Sequence, residues 1–169
     1  MDICLVDTSA LIADTDLFKK LFFCRIIIHT IVLEELSDLC NKKGVKGVNA
    51  RKIKNQLFKL RNRGDFFEGI RVKHNIIQFD DRKPDAKTYL RYGFDPNNKD
   101  NLLFCVAKEI EEESNQKVTL YTGDKFFLLK TSCDIKIEHI KQNQKAKKKR
   151  RPKNKGYYNK GHELAMKRV

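Results

Sequence analysis

Short apolar runs that end in a polar residue and pass directly into a helical pattern constrain this chain most strongly. The first run covers residues 3–6 and leads into Asp7, which is typical of a buried strand whose carboxyl end opens a helix. Similar apolar runs lie at residues 25–29, 118–121 and 135–138. Strands that alternate with helices at this spacing predict an α/β fold with a parallel sheet covered on both faces.

Apolar residues at helical spacing predict three longer helices between these strands. One begins near Thr30, which we expect to cap it, a basic amphipathic one covers residues 49–61, and one opens at Asp100. Residues 70–79 are rich in β-branched side chains and predict either an edge hairpin or an irregular strand. The polar stretch that follows is either a long excursion or a short helix.

Positive charge is concentrated at the C-terminal end. Residues 141–169 contain 12 Lys and Arg against one acidic residue, and so contribute +11 of the formal charge of +14. Such a stretch cannot bury enough apolar surface to fold alone. We therefore expect one folded domain over residues 1–140 and a disordered basic tail over residues 141–169, whose natural partner is a polyphosphate chain.

Cysteine and histidine usage argues against a disulfide framework or a zinc site. The five cysteines are odd in number and scattered, and no pair has the short spacing of thiolate zinc ligands. The four histidines are far apart and do not repeat at helical spacing. Acidic residues interrupt what would have to be a signal sequence, and no apolar run approaches the length of a membrane span. We expect a cytoplasmic protein with no membrane partner, or a nuclear one if the source is eukaryotic or viral.

Four acidic residues are predicted to gather at one edge of the sheet. Open parallel sheets bind ligands at the carboxyl ends of their strands. Asp7 follows the first strand and Asp124 follows the strand at residues 118–121, so their carboxylates converge if the two strands are neighbours. Glu35 lies at the border of its helix's apolar face, and Asp100 lies on the inward side of a first helical turn.

Clustered carboxylates repel one another unless a cation lies between them. Oxygen ligands of this kind suit Mg²⁺ or Mn²⁺ and not zinc. Such an ion can activate a water and neutralise the leaving oxygen of a phosphodiester, so the pattern indicates nuclease chemistry. Each acid also has a plainer interpretation: Asp7 and Asp124 as helix caps, Asp100 as a partner of the helix dipole, and Glu35 as part of a solvated face.

The segments around these acids resemble, in order, the PIN-domain family over residues 2–140. The similar segments are residues 6–12, 31–36, 49–51, 99–103 and 122–125. The sequence is most similar to the PIN domain that precedes PhoH-type ATPase modules and to decay-associated endonuclease PIN domains. No Gly-rich loop ending in Lys-Ser/Thr follows, so an ATPase module is not expected.

The resemblance implies a three-layer α/β/α sandwich with a central, mainly parallel sheet. It also implies dependence on Mg²⁺ or Mn²⁺ and cleavage of single-stranded RNA. Catalytic and metal-binding roles then fall on Asp7, Glu35, Asp100 and Asp124. The hydroxyls of Ser9 and Thr122 would support them.

Basic side chains are expected to hold the RNA. Lysine and arginine contact phosphates, and interleaved aromatic rings stack on unpaired bases. The residues expected to do so are Arg51, Lys52, Lys147, Lys148, Lys149, Arg150, Arg151, Tyr157 and Tyr158. The alternatives are a plain solvated helix for the first two residues, and a solubilising or nuclear-targeting extension for the tail.

Three functions therefore compete. The first is a metal-dependent endoribonuclease whose basic tail anchors single-stranded RNA. The second is a catalytically silent PIN-fold scaffold that binds RNA or assists assembly. The third is the toxin of a toxin-antitoxin pair, which shares the chemistry of the first. A homodimer or a ribonucleoprotein complex is compatible with each of them.

Overall fold

The fold was analysed in a computed structural model, which describes residues 1–98, 101–129 and 134–142. Asp100 and the predicted basic tail beyond residue 142 lie outside these residues. The predicted division at residue 140 therefore remains a prediction.

A six-stranded, mostly parallel sheet forms the centre of the fold. Its spatial order is β3-β4-β2-β1-β5-β6, and only β3 runs antiparallel to its neighbour. The strands are β1 (Asp2–Val6), β2 (Cys24–His29), β3 (Ile70–Val72), β4 (Asn75–Asp80), β5 (Val118–Thr122) and β6 (Lys136–His139). The sequence-based prediction of a mainly parallel sheet is confirmed.

Strand β1 lies in the interior of the sheet, between β2 and β5. Residues 3–6 are all buried, so both faces of this strand are covered, as a continuous apolar run in a parallel sheet requires. Val6 pairs with Tyr121 at the end of β1, and Thr122 pairs with His139 at the end of β6. The carboxyl ends of β1, β5 and β6 therefore meet at one edge of the sheet.

Helices cover both faces of the sheet and complete an α/β/α sandwich. Helices α1, α3 and α4 contact one another, while α6 packs against β5. The helices are α1 (Thr8–Ala13), α2 (Leu17–Lys20), α3 (Thr30–Cys40), α4 (Val45–Leu60), α5 (Ala86–Arg91) and α6 (Leu102–Ser114). Short 3₁₀ helices follow at Arg61–Arg63 and Lys125–Leu129. No helix in the described part of the chain is long and apolar enough to cross a membrane.

Local structure departs from the sequence-based expectation in several places. The cap of α3 is His29, whose Nδ1 accepts from the Ile31 amide at 3.1 Å, and Thr30 is the first helical residue. The β-rich segment is a hairpin in which only β3 lies at the sheet edge, because β4 also pairs in parallel with β2. The turn after Asp124 is a 3₁₀ helix.

Candidate active site

Asp7 and Asp124 follow neighbouring strands. Asp7 comes directly after β1 and its amide donates to the Tyr121 carbonyl of β5 at 2.9 Å. Asp124 follows β5 after a single glycine. The two carboxylates were expected to converge if their strands were neighbours, and β1 and β5 do pair with each other.

Two hydroxyls orient the carboxylate of Asp7. Its Oδ2 accepts from the Ser9 hydroxyl and from Thr122 Oγ1, the latter at 3.0 Å. Asp7 is only 8% exposed and Thr122 is fully buried, so solvent does not compete strongly for these bonds. Neither Oδ1 nor Oδ2 of Asp7 forms an ion pair with a described residue. One oxygen is thus held by the protein while the other remains available to a ligand.

Backbone amides position the same two hydroxyls. The Gly123 amide donates to Ser9 Oγ at 2.8 Å, and the Asp124 amide donates to Thr122 Oγ1 at 3.1 Å. Each hydroxyl therefore accepts from the loop after β5 and donates its single proton to Asp7. This network connects the ends of β1 and β5 and assigns Ser9 and Thr122 a direct role in holding Asp7.

Close packing of the loop against α1 requires glycine at position 123. A Cβ atom built there would lie 2.6 Å from the carbonyl oxygen of Ser9. Such a separation is shorter than van der Waals contact, so any larger residue would displace the loop. The glycine keeps the Gly123 amide within reach of the Ser9 hydroxyl.

Glu35 is connected to the residue that follows Asp7. Its Oε2 accepts from the Thr8 hydroxyl, although Glu35 itself is exposed on α3. Asp124 is half-buried, and its Oδ1 accepts from the Phe126 amide at 2.9 Å. The interpretation of Asp124 as a helix cap is therefore correct for one of its oxygens, and the second oxygen remains available.

Asp7, Glu35 and Asp124 all line one open cavity of about 690 Å³. Ser9 and Gly123 contribute to its wall, as does Leu103 in the first turn of α6. The structure therefore brings three of the four predicted acids to one cleft. Asp100 precedes Leu103 by three positions in the sequence but lies outside the described residues, and its role remains a prediction.

The donor set of the cavity fits a hard divalent cation. The three acids offer carboxylate oxygens, which Mg²⁺ and Mn²⁺ prefer. Within the described ranges, no three His, Cys, Asp or Glu side chains lie close enough to form a metal site by themselves. Magnesium is commonly held by one or two carboxylates, with water and substrate phosphates completing its shell, and this cavity suits that mode. Asp7 would be the central ligand, with Glu35 or Asp124 beside it.

Four basic residues of the cavity were not identified from the sequence: Lys46, Lys125, His139 and Lys141. His139 ends β6 and Lys141 follows it, so both lie at the same sheet edge as Asp7 and Asp124. The rule that selected residues after the ends of strands could have identified these two. Lys46 lies in the first turn of α4, which the sequence pattern began four residues later, at residue 49.

The basic helix residues expected to bind RNA have partners within the chain. Arg51 donates to the Cys40 carbonyl at 2.6 Å, across the connection between α3 and α4. Lys52 donates to Thr15 Oγ1 at 2.6 Å. Both side chains are exposed, and their contacts with RNA remain predictions. The remaining predicted RNA-binding residues, from Lys147 to Tyr158, lie outside the described residues.

Comparison with known proteins identifies the family. A search of curated proteins finds no match. Among solved structures, the chain is similar to a domain of a functionally unknown protein from Methanocaldococcus jannaschii DSM 2661, at 15% identity and a TM-score of 0.49 over 99% of this chain and 100% of that one. That likeness is too distant to carry an argument about function. The family model of the PIN domain matches residues 4–141, which include the whole described sheet from the third residue of β1. The chain therefore belongs to the PIN-domain family.

Proposed function

We propose that the protein is a metal-dependent endoribonuclease that hydrolyses single-stranded RNA. PIN domains are typically nucleases, which supplies the general class of reaction. The observation that carries the proposal is the carboxylate of Asp7, fixed by Ser9 and Thr122 at the end of β1 in a cleft that also contains Glu35 and Asp124. A structural cap would need neither the two hydroxyls nor the neighbouring acids.

The residues of the cleft have distinct proposed roles. A bound Mg²⁺ or Mn²⁺ would supply an activated water and offset charge on the scissile phosphate. Asp7 would hold the ion through its available oxygen, because its other oxygen is occupied by hydroxyl donors. Glu35 and Asp124 complete the acidic wall and would orient water. Asp100 is proposed as the fourth acid.

The cleft is open enough for a polymer chain to enter it. Its 690 Å³ opens directly to solvent along the ends of several strands, so a chain can enter and leave without being threaded. The basic tail would add affinity for the same RNA, since lysine and arginine contacts bind phosphates without reading sequence. We propose that the protein acts in the cytoplasm, alone, as a homodimer or within a ribonucleoprotein complex.

Adjacent glutamates on α3 provide a sharp test of the site. Glu35 lines the cavity and accepts from Thr8, whereas Glu34 is exposed and does not line it. We expect Glu35→Gln, Asp7→Asn and Asp100→Asn each to lower Mn²⁺-dependent cleavage of a labelled single-stranded RNA by more than about 100-fold. Glu34→Gln removes the same charge from the same helix and should leave cleavage unchanged. Equal activity in Glu34→Gln and Glu35→Gln would contradict the proposed assignment.

A catalytically silent RNA-binding scaffold is the second candidate. It is favoured by the finding that no three ligand-type side chains converge within the described residues. This candidate predicts that the protein binds single-stranded RNA with the same affinity in Mn²⁺ and in EDTA, and that the RNA remains intact. Metal-dependent cleavage that Asp7→Asn abolishes would exclude it.

A further inference from the structure

Three lysines surround the acidic centre of the cavity on different elements. Lys46 belongs to the first turn of α4, Lys125 follows Asp124 after β5, and Lys141 follows β6. All three are exposed, and all three line the same cavity as Asp7, Glu35 and Asp124. Elements distant in sequence thus bring three positive charges to one cleft.

None of these lysines neutralises the acids beside it. Lys46, Lys125 and Lys141 form no ion pair with any residue in the described ranges, and the same is true of Asp7, Glu35 and Asp124. Elsewhere on the surface, by contrast, lysines do form ion pairs with carboxylates. The Lys117 Nζ atom, for example, lies 2.7 Å from Oδ2 of Asp134. Charges of both signs therefore share the cavity while remaining separated from each other.

The separation follows the order of the elements along the sheet edge. Lys46 lies on α4, which packs against α3, the helix that carries Glu35 and follows β2. Lys141 lies beyond β6 at the opposite end of the order β2-β1-β5-β6. Asp7 and Asp124, at the ends of β1 and β5, fall between them. An anionic chain bound in this cavity would lie close both to the acids and to the three lysines.

We infer that Lys46, Lys125 and Lys141 bind the phosphates that flank the scissile bond, and that this phosphate-binding rim makes the preferred substrate an internal stretch of several nucleotides. This inference rests on the proposed function, because it concerns the substrate of that same cleft. Three inter-strand spacings from β2 to β6 amount to about 14 Å. A stacked strand advances about 3.4 Å per nucleotide, so this sheet edge is roughly as long as four nucleotides.

The salt dependence of RNA binding tests the rim without requiring cleavage. Each phosphate contact on a single strand contributes about −0.7 to the slope of log affinity against log salt concentration. The triple variant Lys46→Ala/Lys125→Ala/Lys141→Ala should therefore have a slope shallower by about 2 than the wild type. Binding of a fluorescent ten-nucleotide RNA to the full chain would be measured by anisotropy in EDTA, so that no substrate is consumed.

A matched variant controls for net charge. Lys59, Lys83 and Lys87 are exposed and do not line the cavity, so their triple alanine variant removes the same charge elsewhere. Its slope should stay close to that of the wild type. Residues 143–169 of the basic tail are unchanged in all three proteins and contribute equally to each. Equal slopes for the two triple variants would overturn the inference.

The outcomes separate the rim from the nuclease. A shallower slope in the cavity variant together with intact RNA under Mn²⁺ would support the rim and reject the proposed activity. Metal-dependent cleavage with an unchanged slope would support the proposed activity and reject the rim. A second readout is substrate length: the rim predicts that the cavity variant loses affinity for the ten-nucleotide RNA while both proteins bind a dinucleotide equally weakly. Equal loss for both lengths would contradict a rim that spans several phosphates.

Discussion

Thr122→Val isolates the hydroxyl that supports Asp7. Valine keeps the shape of a side chain that is fully buried, so the change removes hydrogen bonds with little change in volume. It deletes the 3.0 Å donation to Asp7 Oδ2 and the 3.1 Å acceptance from the Asp124 amide. A hydrogen bond to a charged group contributes about 1.5–3 kcal/mol, and the amide of the half-buried Asp124 loses its acceptor as well. We expect a loss of roughly 2–3 kcal/mol in the free energy of unfolding.

Thermal unfolding and cleavage report this change separately. For a chain of this size, 1 kcal/mol corresponds to about 2–4 °C in Tm, so Tm should fall by roughly 4–12 °C. Side chains that orient metal ligands typically contribute 10- to 100-fold to activity, so Mn²⁺-dependent cleavage should fall by about that factor at a temperature where the variant is folded. Thr122→Ser keeps the hydroxyl and should restore most of the activity.

Thr119→Val is the matched control. It lies on the same strand, is half-buried, and makes no hydrogen bond through its side chain within the described residues. It should change Tm by less than about 1 °C and leave cleavage intact. If Thr122→Val behaved like Thr119→Val in both assays, the hydroxyl would not hold Asp7 and the reasoning would be refuted.

Three further predictions concern packing and titration. Gly123→Ala places a Cβ 2.6 Å from the Ser9 carbonyl oxygen and should cost about 1–3 kcal/mol in denaturant unfolding; an unchanged midpoint would show that the loop yields freely. Asn75→Ala removes the buried side chain that accepts from the Cys24 amide at 2.9 Å and should cost about 1–3 kcal/mol, so a neutral effect would discount that anchor. Burial raises the pKa of Tyr121, so its contribution to stability is complete below the unfolded pKa of about 10 and is lost as pH rises above it. Tyr121→Phe should therefore lose less stability between pH 9 and 11 than the wild type does, and an equal loss in both proteins would contradict this.

The positions of Asp7 and Asp124 could be predicted because each depends on a short local sequence pattern. An apolar run ending in Asp7 specifies a buried strand, and the same pattern before Asp124 specifies a second one. Parallel sheets then place both carboxylates at one edge, and adjacency of β1 and β5 is what the structure adds. The roles of Ser9 and Thr122 were implied only by the resemblance to the PIN-domain family, and the structure shows that both hydroxyls donate to Asp7.

The position of Lys141 after a predicted strand could have identified it, but the gathering of the three cavity lysines could not be predicted. Lys46, Lys125 and Lys141 carry no periodic signal, and their proximity depends on where α4 packs and on β6 joining the sheet beside β5. The preference of threonine for helix caps also predicted the wrong start for α3. Threonine is a favoured cap, but β2 continues to His29, whose ring accepts from the Ile31 amide instead. The helix therefore begins one residue earlier than expected, although the end of the preceding strand was predicted correctly.

For a similar reason, the local sequence pattern could not predict how the β-rich segment at residues 70–79 pairs in the sheet. A hairpin and an irregular strand have the same composition, and only the partner strand distinguishes an interior position from an edge. β4 became interior because it pairs with β2 from Arg25 to His29, opposite residues 76–80. Nothing within residues 70–79 specifies that partner.

Cleavage of a circular single-stranded RNA tests the central claim most directly, because a circle offers no end to an exonuclease. The wild-type chain should convert the circle to linear fragments in Mn²⁺, leave it intact in EDTA, and lose the activity in Asp7→Asn while the Tm of that variant shows a folded protein. A circle that survives Mn²⁺ with the wild-type protein bound to it, or one that Asp7→Asn cuts as fast as the wild type does, would contradict the account.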